Sequence, residues 1–315
     1  MIAGLEEVTD GAVFIGGRDV TDLPPKSRDI AMVFQSYALY PHLRARGNIG
    51  FPLQITRVQA DEIDRRVVKT AEELSSSLVE MLDRRPDELS MGFRQRVAVG
   101  RAMVRHPRVY LFDEPLSNLD AKISAQTRAH MRRLLRGLGS TVIYVTPDDR
   151  EAFALADRVA VMSPGRIEQV STPRGLWARP ANRFVAEFVH EGILNLYPAH
   201  LDRAAGRVET AAFSLPTIPE IAARIGRDDD FVLGLLPSRV RLDGPSELSP
   251  LVGRVELVEP LISERKKMVH VRREGFRCIA EVGYDVPVQR DEWVGVAFDL
   301  EHAMLFDAET GRTIN

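Results

Sequence analysis

A single cysteine, Cys278, in 315 residues leaves no partner for an intrachain disulfide, which excludes a stapled secreted scaffold and suits a reducing compartment. The seven histidines form no metal-spaced pair or cluster, so nothing points to a zinc site. No apolar run approaches the roughly 18 residues of a membrane span. The first residues carry Glu6, Glu7 and Asp10 where a signal peptide is basic. The expectation is a cytoplasmic chain, neither exported nor membrane-spanning, so that any membrane role comes from docking to another subunit. An excess of basic charge is missing too: 42 Lys and Arg stand against 45 Asp and Glu, a net charge of -3. That excludes an electrostatic footprint for nucleic acid or an anionic membrane.

With 44% hydrophobic and 28% charged residues, the chain can bury one large core and a smaller one. The opening Met1 to Leu5 reads as the tail of a helix stopped by Gly4. Ala12 to Ile15 and Val20, broken by Gly16-Gly17, read as a hairpin, and Asp29 to Phe34 as a strand entering a loop. Helical patterns follow over 60–83, 94–105 and 121–138, with apolar strands at Val109 to Phe112 and Thr141 to Thr146. Glu151 to Ala156 continues as helix and Val159 to Met162 as strand. Apolar runs separated by such helices predict an α/β fold with a parallel sheet covered on both faces. Past about Val189 the character changes. Short strands at 231–235, 253–258, 268–271, 278–282, 293–298 and 304–306 predict an all-β, barrel-type module. The stretch from Ala199 to Asp230 reads as lead-in and loop.

Val109-Tyr-Leu-Phe-Asp113-Glu114-Pro115 carries the chemistry. Four apolar residues ending in two acids place one carboxylate at the tip of a buried strand, a place where a Mg²⁺ with its phosphates can sit, and the next where it can reach an attacking water. Together with Leu116 to Asp120, the segment closely resembles the Walker B and D-loop of ABC ATPases. The resemblance implies that Asp113 holds Mg²⁺ through water, Glu114 polarises the nucleophilic water, and Asp120 communicates across a dimer. Leu89-Ser90-Met91-Gly92-Phe93-Arg94-Gln95-Arg96 resembles the family's Leu-Ser-Gly-Gly-Gln signature. There the serine and helix N-terminal amides meet the γ-phosphate of ATP on the opposite subunit. Ser90 and Gly92 keep the pattern. Met91 and Phe93 depart from it, crowding the site and making it less polar.

Val33-Phe34-Gln35-Ser36-Tyr37-Ala38-Leu39-Tyr40-Pro41-His42 resembles the Q-loop of importers for sugars and related solutes. By that likeness Gln35 reaches Mg²⁺ and the attacking water. Tyr37, Leu39, Tyr40, Pro41 and Leu43, with Asn48 to Pro52, grip a membrane subunit's coupling helix. Tyr144 to Ala152 aligns with the switch loop, where Pro147 stands in place of a histidine and offers no donor. No G-x-x-x-x-G-K-[ST] string occurs in the 315 residues, although the family cradles ATP phosphates with it. The expectation is a nucleotide-binding domain with a helical subdomain whose N-terminal part is missing, through a misplaced start or a truncated gene.

The resemblance continues through Asp157 to Val185 into importers of the maltose and glycerol-phosphate type. It implies a nucleotide-binding domain at 1–193 and an OB-like regulatory domain at 194–315. The implied ligands are ATP and Mg²⁺, and the implied partners are permease subunits and a second copy or paralogue in a head-to-tail dimer, with no nucleic acid. Two functions are weighed: an ATP-binding subunit that energises solute uptake, and a degenerate, non-hydrolysing subunit that keeps docking or regulatory surfaces. A DNA-repair ATPase with the same core is disfavoured by the Q-loop, the C-terminal module and the absent basic surface.

Overall fold

A computed structural model describes residues 1–115, 121–226, 229–246 and 249–314. Contacts divide the chain into two compact units, Met1–Asp157 and Arg158–Asn315.

The first unit runs β1 (Phe14–Ile15), β2 (Arg18–Asp19), β3 (Ile30–Val33), α1 (Ala45–Ile55), α2 (Ala60–Leu74), α3 (Ser76–Val79), α4 (Met91–Met103), β4 (Val109–Asp113), α5 (Ala121–Gly137), β5 (Thr141–Val145) and α6 (Asp149–Leu155). Strands β3, β4 and β5 form a parallel sheet with β4 in the centre. Its side chains alternate between two apolar clusters. Tyr110 and Phe112 join the one built from α1, α2 and α4, while Val109 and Leu111 join Ile15, Val20 and Ile30. Burial on both faces explains the unbroken apolar run, each large side chain contributing about 1.5 to 3 kcal/mol. Strand β5 lies at the sheet edge and pairs only with β4 among the described residues. Both its end residues, Thr141 and Val145, are exposed.

Two sequence expectations change in this unit. The helix over 60–83 breaks at Ser75, whose backbone is extended between α2 and α3. Met1 to Leu5 is not a helix tail but a turn, in which the Gly4 amide donates to Met1 O at 2.9 Å with φ +74°. The cause is long-range: buried Arg28 donates to the carbonyls of Met1, Ile2, Thr21 and Leu23 at 2.6 to 3.1 Å. A Cβ on Gly4 would meet Arg28 Nε at 2.6 Å, so the turn demands glycine twice over.

The second unit opens with the hairpin β6 (Val159–Ser163) and β7 (Arg166–Ser171), then α7 (Pro173–Ala178) and α8 (Arg183–Val189). There follow β8 (Asn195–Asp202), β9 (Arg207–Thr210), β10 (Ser214–Pro216), α9 (Pro219–Arg224), β11 (Asp230–Leu235), β12 (Val240–Asp243), β13 (Leu251–Leu261), β14 (Lys266–Arg273), β15 (Phe276–Gly283), β16 (Trp293–Phe298) and β17 (Met304–Asp307). They build two antiparallel five-stranded sheets, ordered β10-β9-β8-β11-β17 and β12-β16-β13-β14-β15. Inward side chains such as Leu201, Phe231, Val255, Val271 and Leu305 share one core. From residue 194 on, the module is all-β apart from α9 and short 3-10 turns among the described residues. The stretch read as lead-in and loop, Ala199 to Asp230, in fact holds the second half of β8, then β9, β10 and α9.

Compactness divides the chain earlier than the change of sequence character at 193/194 does. Ala186 of α8 packs with Leu194, Val232 and Phe306. The Arg183 amide donates to Gly311 O at 2.8 Å, and the Thr313 amide to Ala181 O at 3.0 Å. These ties hold 158–193 to the β sheets. A boundary at 193/194 is therefore one of motif content.

Candidate functional site

The C-terminal end of β4 brings together three of the sequence motifs. Asp113 closes the strand half-buried. Glu114 follows with φ +45°, a left-handed conformation that is uncommon outside glycine and costly unless its surroundings enforce it. They do, because the Glu114 amide donates to Val145 O at 3.0 Å and so fastens the tip of β4 to the end of β5. Gln35 Nε2 donates to Glu114 Oε2 at 3.4 Å. The next carbonyl, Pro115 O, accepts from Gln95 Nε2 at 3.3 Å and from the Tyr37 hydroxyl at 3.4 Å. The loop after β3, the helix α4 and the acidic tip of β4 thus meet at one point.

Helix α4 begins at Met91, earlier than the pattern from Arg94 implied, because Ser90 caps it: its Oγ accepts from the Phe93 amide at 3.4 Å. Met91 is 46% exposed, and Phe93 packs against the apolar cluster with the Arg96 guanidinium 5.3 Å from its ring centre. A Cβ on Gly92 would meet only Arg96 Nη1, at 4.0 Å. Packing within this unit therefore does not require glycine there. Asp120 lies outside the described residues.

Tyr37 corrects one expectation. Its ring is buried in the core of the first unit rather than presented at a surface, and burial pushes its hydroxyl pKa up. Leu39, Tyr40 and Leu43 are half-buried and Pro41 is exposed. The loop they form is tied down by side-chain hydrogen bonds and ring packing. Asn48, likewise buried rather than surface-lying, accepts from the Tyr40 amide at 2.8 Å and donates to the carbonyls of Tyr40, Leu43 and Arg44 at 3.1 to 3.2 Å. Tyr40 packs on Phe51, ring centres 4.5 Å apart.

Arg101 was not singled out by the sequence pattern. From α4 it donates to Ala38 O and Tyr37 O, each at 2.7 Å, while its guanidinium lies 5.4 Å from the Tyr40 ring centre. Tyr37 and Ala38 have φ of 62° and 43°. Burial lowers the pKa of Arg101, and Tyr40 offsets part of that. The fork satisfies two carbonyls turned out of ordinary geometry by consecutive left-handed residues. Arg101→Ala is expected to lower unfolding stability by about 3 kcal/mol, the scale of charged hydrogen bonds removed from a half-buried site. Arg101→Lys restores less than half, since an ammonium lacks the planar fork; a denaturant midpoint for Arg101→Lys equal to that of the native chain would refute this.

After β5, Pro147 is exposed, and the turn around it hangs on Glu151. That buried carboxylate accepts from the Tyr144 hydroxyl and from Thr146 Oγ1, the latter at 2.5 Å, while Asp148 Oδ1 accepts from the Glu151 amide at 3.1 Å. Burial first, then the bond to Glu151, pushes Tyr144 far above the ordinary phenol range.

Asp113, Glu114 and the Gln35 amide offer the hard oxygen donors that Mg²⁺ takes, so the metal side of a nucleotide site fits these residues. The phosphate side does not, for no glycine-rich lysine loop is present in the 315 residues.

The sequence pattern of the ABC transporter family matches residues 1–117. The trehalose/maltose import ATP-binding protein MalK of Thermococcus litoralis is 43% identical over 332 aligned positions, which take in 100% of this chain and 87% of that protein. The sn-glycerol-3-phosphate import ATP-binding protein UgpC 1 of Rhizobium johnstonii is 43% identical, over 100% of this chain and 84% of its own length. The trehalose import ATP-binding protein SugC of Mycobacterium tuberculosis is 38% identical, over 100% of this chain and 86% of its own.

Proposed function

This chain belongs to the ATP-binding subunits of ABC importers, and from that premise we propose that the uptake it energises is of a sugar or related solute. The family's nucleotide is ATP with Mg²⁺. The observation that carries the assignment of roles is the junction at the end of β4, where Gln35 reaches Glu114 and Pro115 ties both to α4. In this reading Asp113 binds the metal through water, Glu114 orients the attacking water, and Gln35 links that water to the loop leading to the permease. Ser90 and Gly92 face the nucleotide of a second copy or a paralogue in a head-to-tail dimer, and Asp120 signals across it. No residue of the 315 is assigned to cradling the phosphates of a nucleotide bound to this same chain.

No helix among the described residues is long and apolar enough to cross a membrane, so the reading places the chain against the inner membrane face through its permease. The contact surface is the stapled loop with Leu39, Tyr40, Pro41 and Leu43, extended by Phe51. Those ties matter, because docking a preformed loop costs little conformational entropy.

The test is capture of the tagged chain from detergent-solubilised membranes of its source cells, with identification of bound polytopic proteins. An importer permease is expected with the native chain. Leu43→Glu, which buries a carboxylate in the contact, is expected to reduce its recovery by about tenfold or more, with an unchanged melting temperature. Recovery of no permease, or equal recovery by Leu43→Glu, refutes the docking assignment. A second reading, a non-hydrolysing subunit that retains this surface, is favoured by Met91, Phe93 and Pro147. It shares the docking result and differs in turnover.

A further inference from the structure

The outer face of the sheet β12-β16-β13-β14-β15 carries a row of side chains that the import reading does not use. Strand register sets Trp293 of β16 opposite Arg254 of β13, Arg254 opposite Arg272 of β14, and Arg272 opposite Arg277 of β15. All four side chains are exposed, Trp293 at 55%. The residues between them, such as Val271, Val294 and Cys278, turn into the core, so the row is fixed by the pleat.

Like charges directly opposite each other destabilise a sheet, and here three arginines stand side by side. Two carboxylates offset them. Asp291 lies 3.0 Å from Arg254, while Glu256 serves both Arg272 at 3.4 Å and Arg277 at 3.7 Å. Glu256 sits where the β13–β14 register slips, a bulge that aims the extra side chain at the neighbouring arginines. Three cations against two anions leave a positive remainder; Arg273, Arg290 and Glu274 border the same groove, which therefore keeps more guanidinium than carboxylate charge and has a volume of about 950 Å³. That volume lies within the range of about 300 to 1,000 Å³ for small-molecule sites.

We propose that this groove binds a small phosphorylated ring compound, its phosphate held by Arg254 and Arg272 and its ring laid on Trp293. Guanidinium forks match phosphate oxygens two at a time, and the indole supplies a flat face for a sugar or a base. A second copy of this chain is the less suitable occupant, because a two-fold interface sets the patch against itself and brings arginine to arginine. Sugar phosphates and nucleoside monophosphates share the required chemistry, and the groove stands apart in sequence from Asp113 and Glu114, so the inference does not rest on the import reading.

The chain has two tryptophans, Trp177 and Trp293, so Trp177→Phe isolates Trp293 fluorescence. Titration of that full-length variant with glucose 6-phosphate and with AMP is expected to show saturable quenching by at least one of them, below about 1 mM. Glucose or adenosine, lacking the phosphate, is expected to bind at least about tenfold more weakly, and Arg272→Gln to weaken the phosphorylated compound by about tenfold with an unchanged melting temperature. Which compound quenches identifies the source of the phosphate. The proposal is overturned if neither quenches, if inorganic phosphate alone competes as strongly as either, if Arg272→Gln has no effect, or if Trp293 responds only to protein concentration through dimerisation.

Discussion

Purified as the 315-residue chain and supplied with Mg²⁺ and ATP at high protein concentration, the protein is expected to release no phosphate above background. Phosphoryl transfer is catalysed mainly by positioning and charge neutralisation. The tip of β4 supplies Asp113 and Glu114, held by Val145 and reached by Gln35, but the carboxylates act only on a nucleotide whose phosphates are already fixed. No loop in these residues fixes them. Self-association does not repair this, since every copy has the same deficit. Pairing with a paralogue that carries the phosphate loop retains one nucleotide, which then meets Met91 and Phe93 across the interface. That assembly is expected to turn over slowly. In a variant given a phosphate-binding loop upstream, so that nucleotide sits on this chain's own Asp113 and Glu114, Pro147→His, which under the proposed roles restores a side-chain donor to the γ-phosphate, is expected to raise the rate by about a hundredfold, the usual worth of one such donor. Mg²⁺-dependent release by the isolated chain that disappears in Glu114→Gln would show the reasoning to be wrong.

Acid is expected to weaken the second unit through one residue. His190, next after α8, is 1% exposed and its ring stands edge-on to Trp177 with centres 4.2 Å apart. Among the described residues neither ring nitrogen has a well-formed hydrogen-bond partner. Burial pushes its pKa from 6.5 down to about 4, the backbone of Trp177 offsetting part of the shift. A depressed histidine is neutral in both states above 6.5, so no stability is at stake there. As pH falls from 6.5 to about 4 the unfolded chain takes up a proton that the folded one refuses, and stability drops by about 3 kcal/mol in all. Below about 4 the loss is complete. Denaturant unfolding followed by Trp177 fluorescence at pH 7, 5.5 and 4 measures it. His190→Leu keeps the volume and removes the proton site, so its stability is expected to fall less over the same range. Parallel curves for the two proteins would exclude His190 as the cause.

Much of this molecule was legible in its sequence because the decisive features are local. Strand β4 announces itself by four apolar residues and two acids, and an all-β C-terminal module by its spaced short strands. What escaped depends on distant partners. Arg28 folds Met1 to Leu5 into a turn through four carbonyls that no local pattern names. Tyr37 looked like a surface residue in a loop, yet consecutive left-handed residues turn its ring into the core. Asn48 and Arg101 hold that loop by bonds to backbone oxygen, which carries no residue identity. Strands β8 to β10 hid behind Pro198 and Pro216, which the ladder accepts at positions a propensity count rejects. At the site itself, the sequence named Asp113, Glu114 and Gln35, whereas the left-handed Glu114 and its bond to Val145 became visible only in three dimensions.

Among the described residues β5 lies at the edge of its sheet, and that edge bears on how these 315 residues associate once purified. Thr141-Val-Ile-Tyr-Val145 carries no charge and no proline, the two devices by which proteins commonly guard an open edge. Its outer side pairs with no strand among the described residues, so a row of amides and carbonyls stands ready as a template for any extended apolar segment. For a sample of these 315 residues, strand addition at this edge is the expected route of self-association, and a short peptide that caps it is expected to lower turbidity.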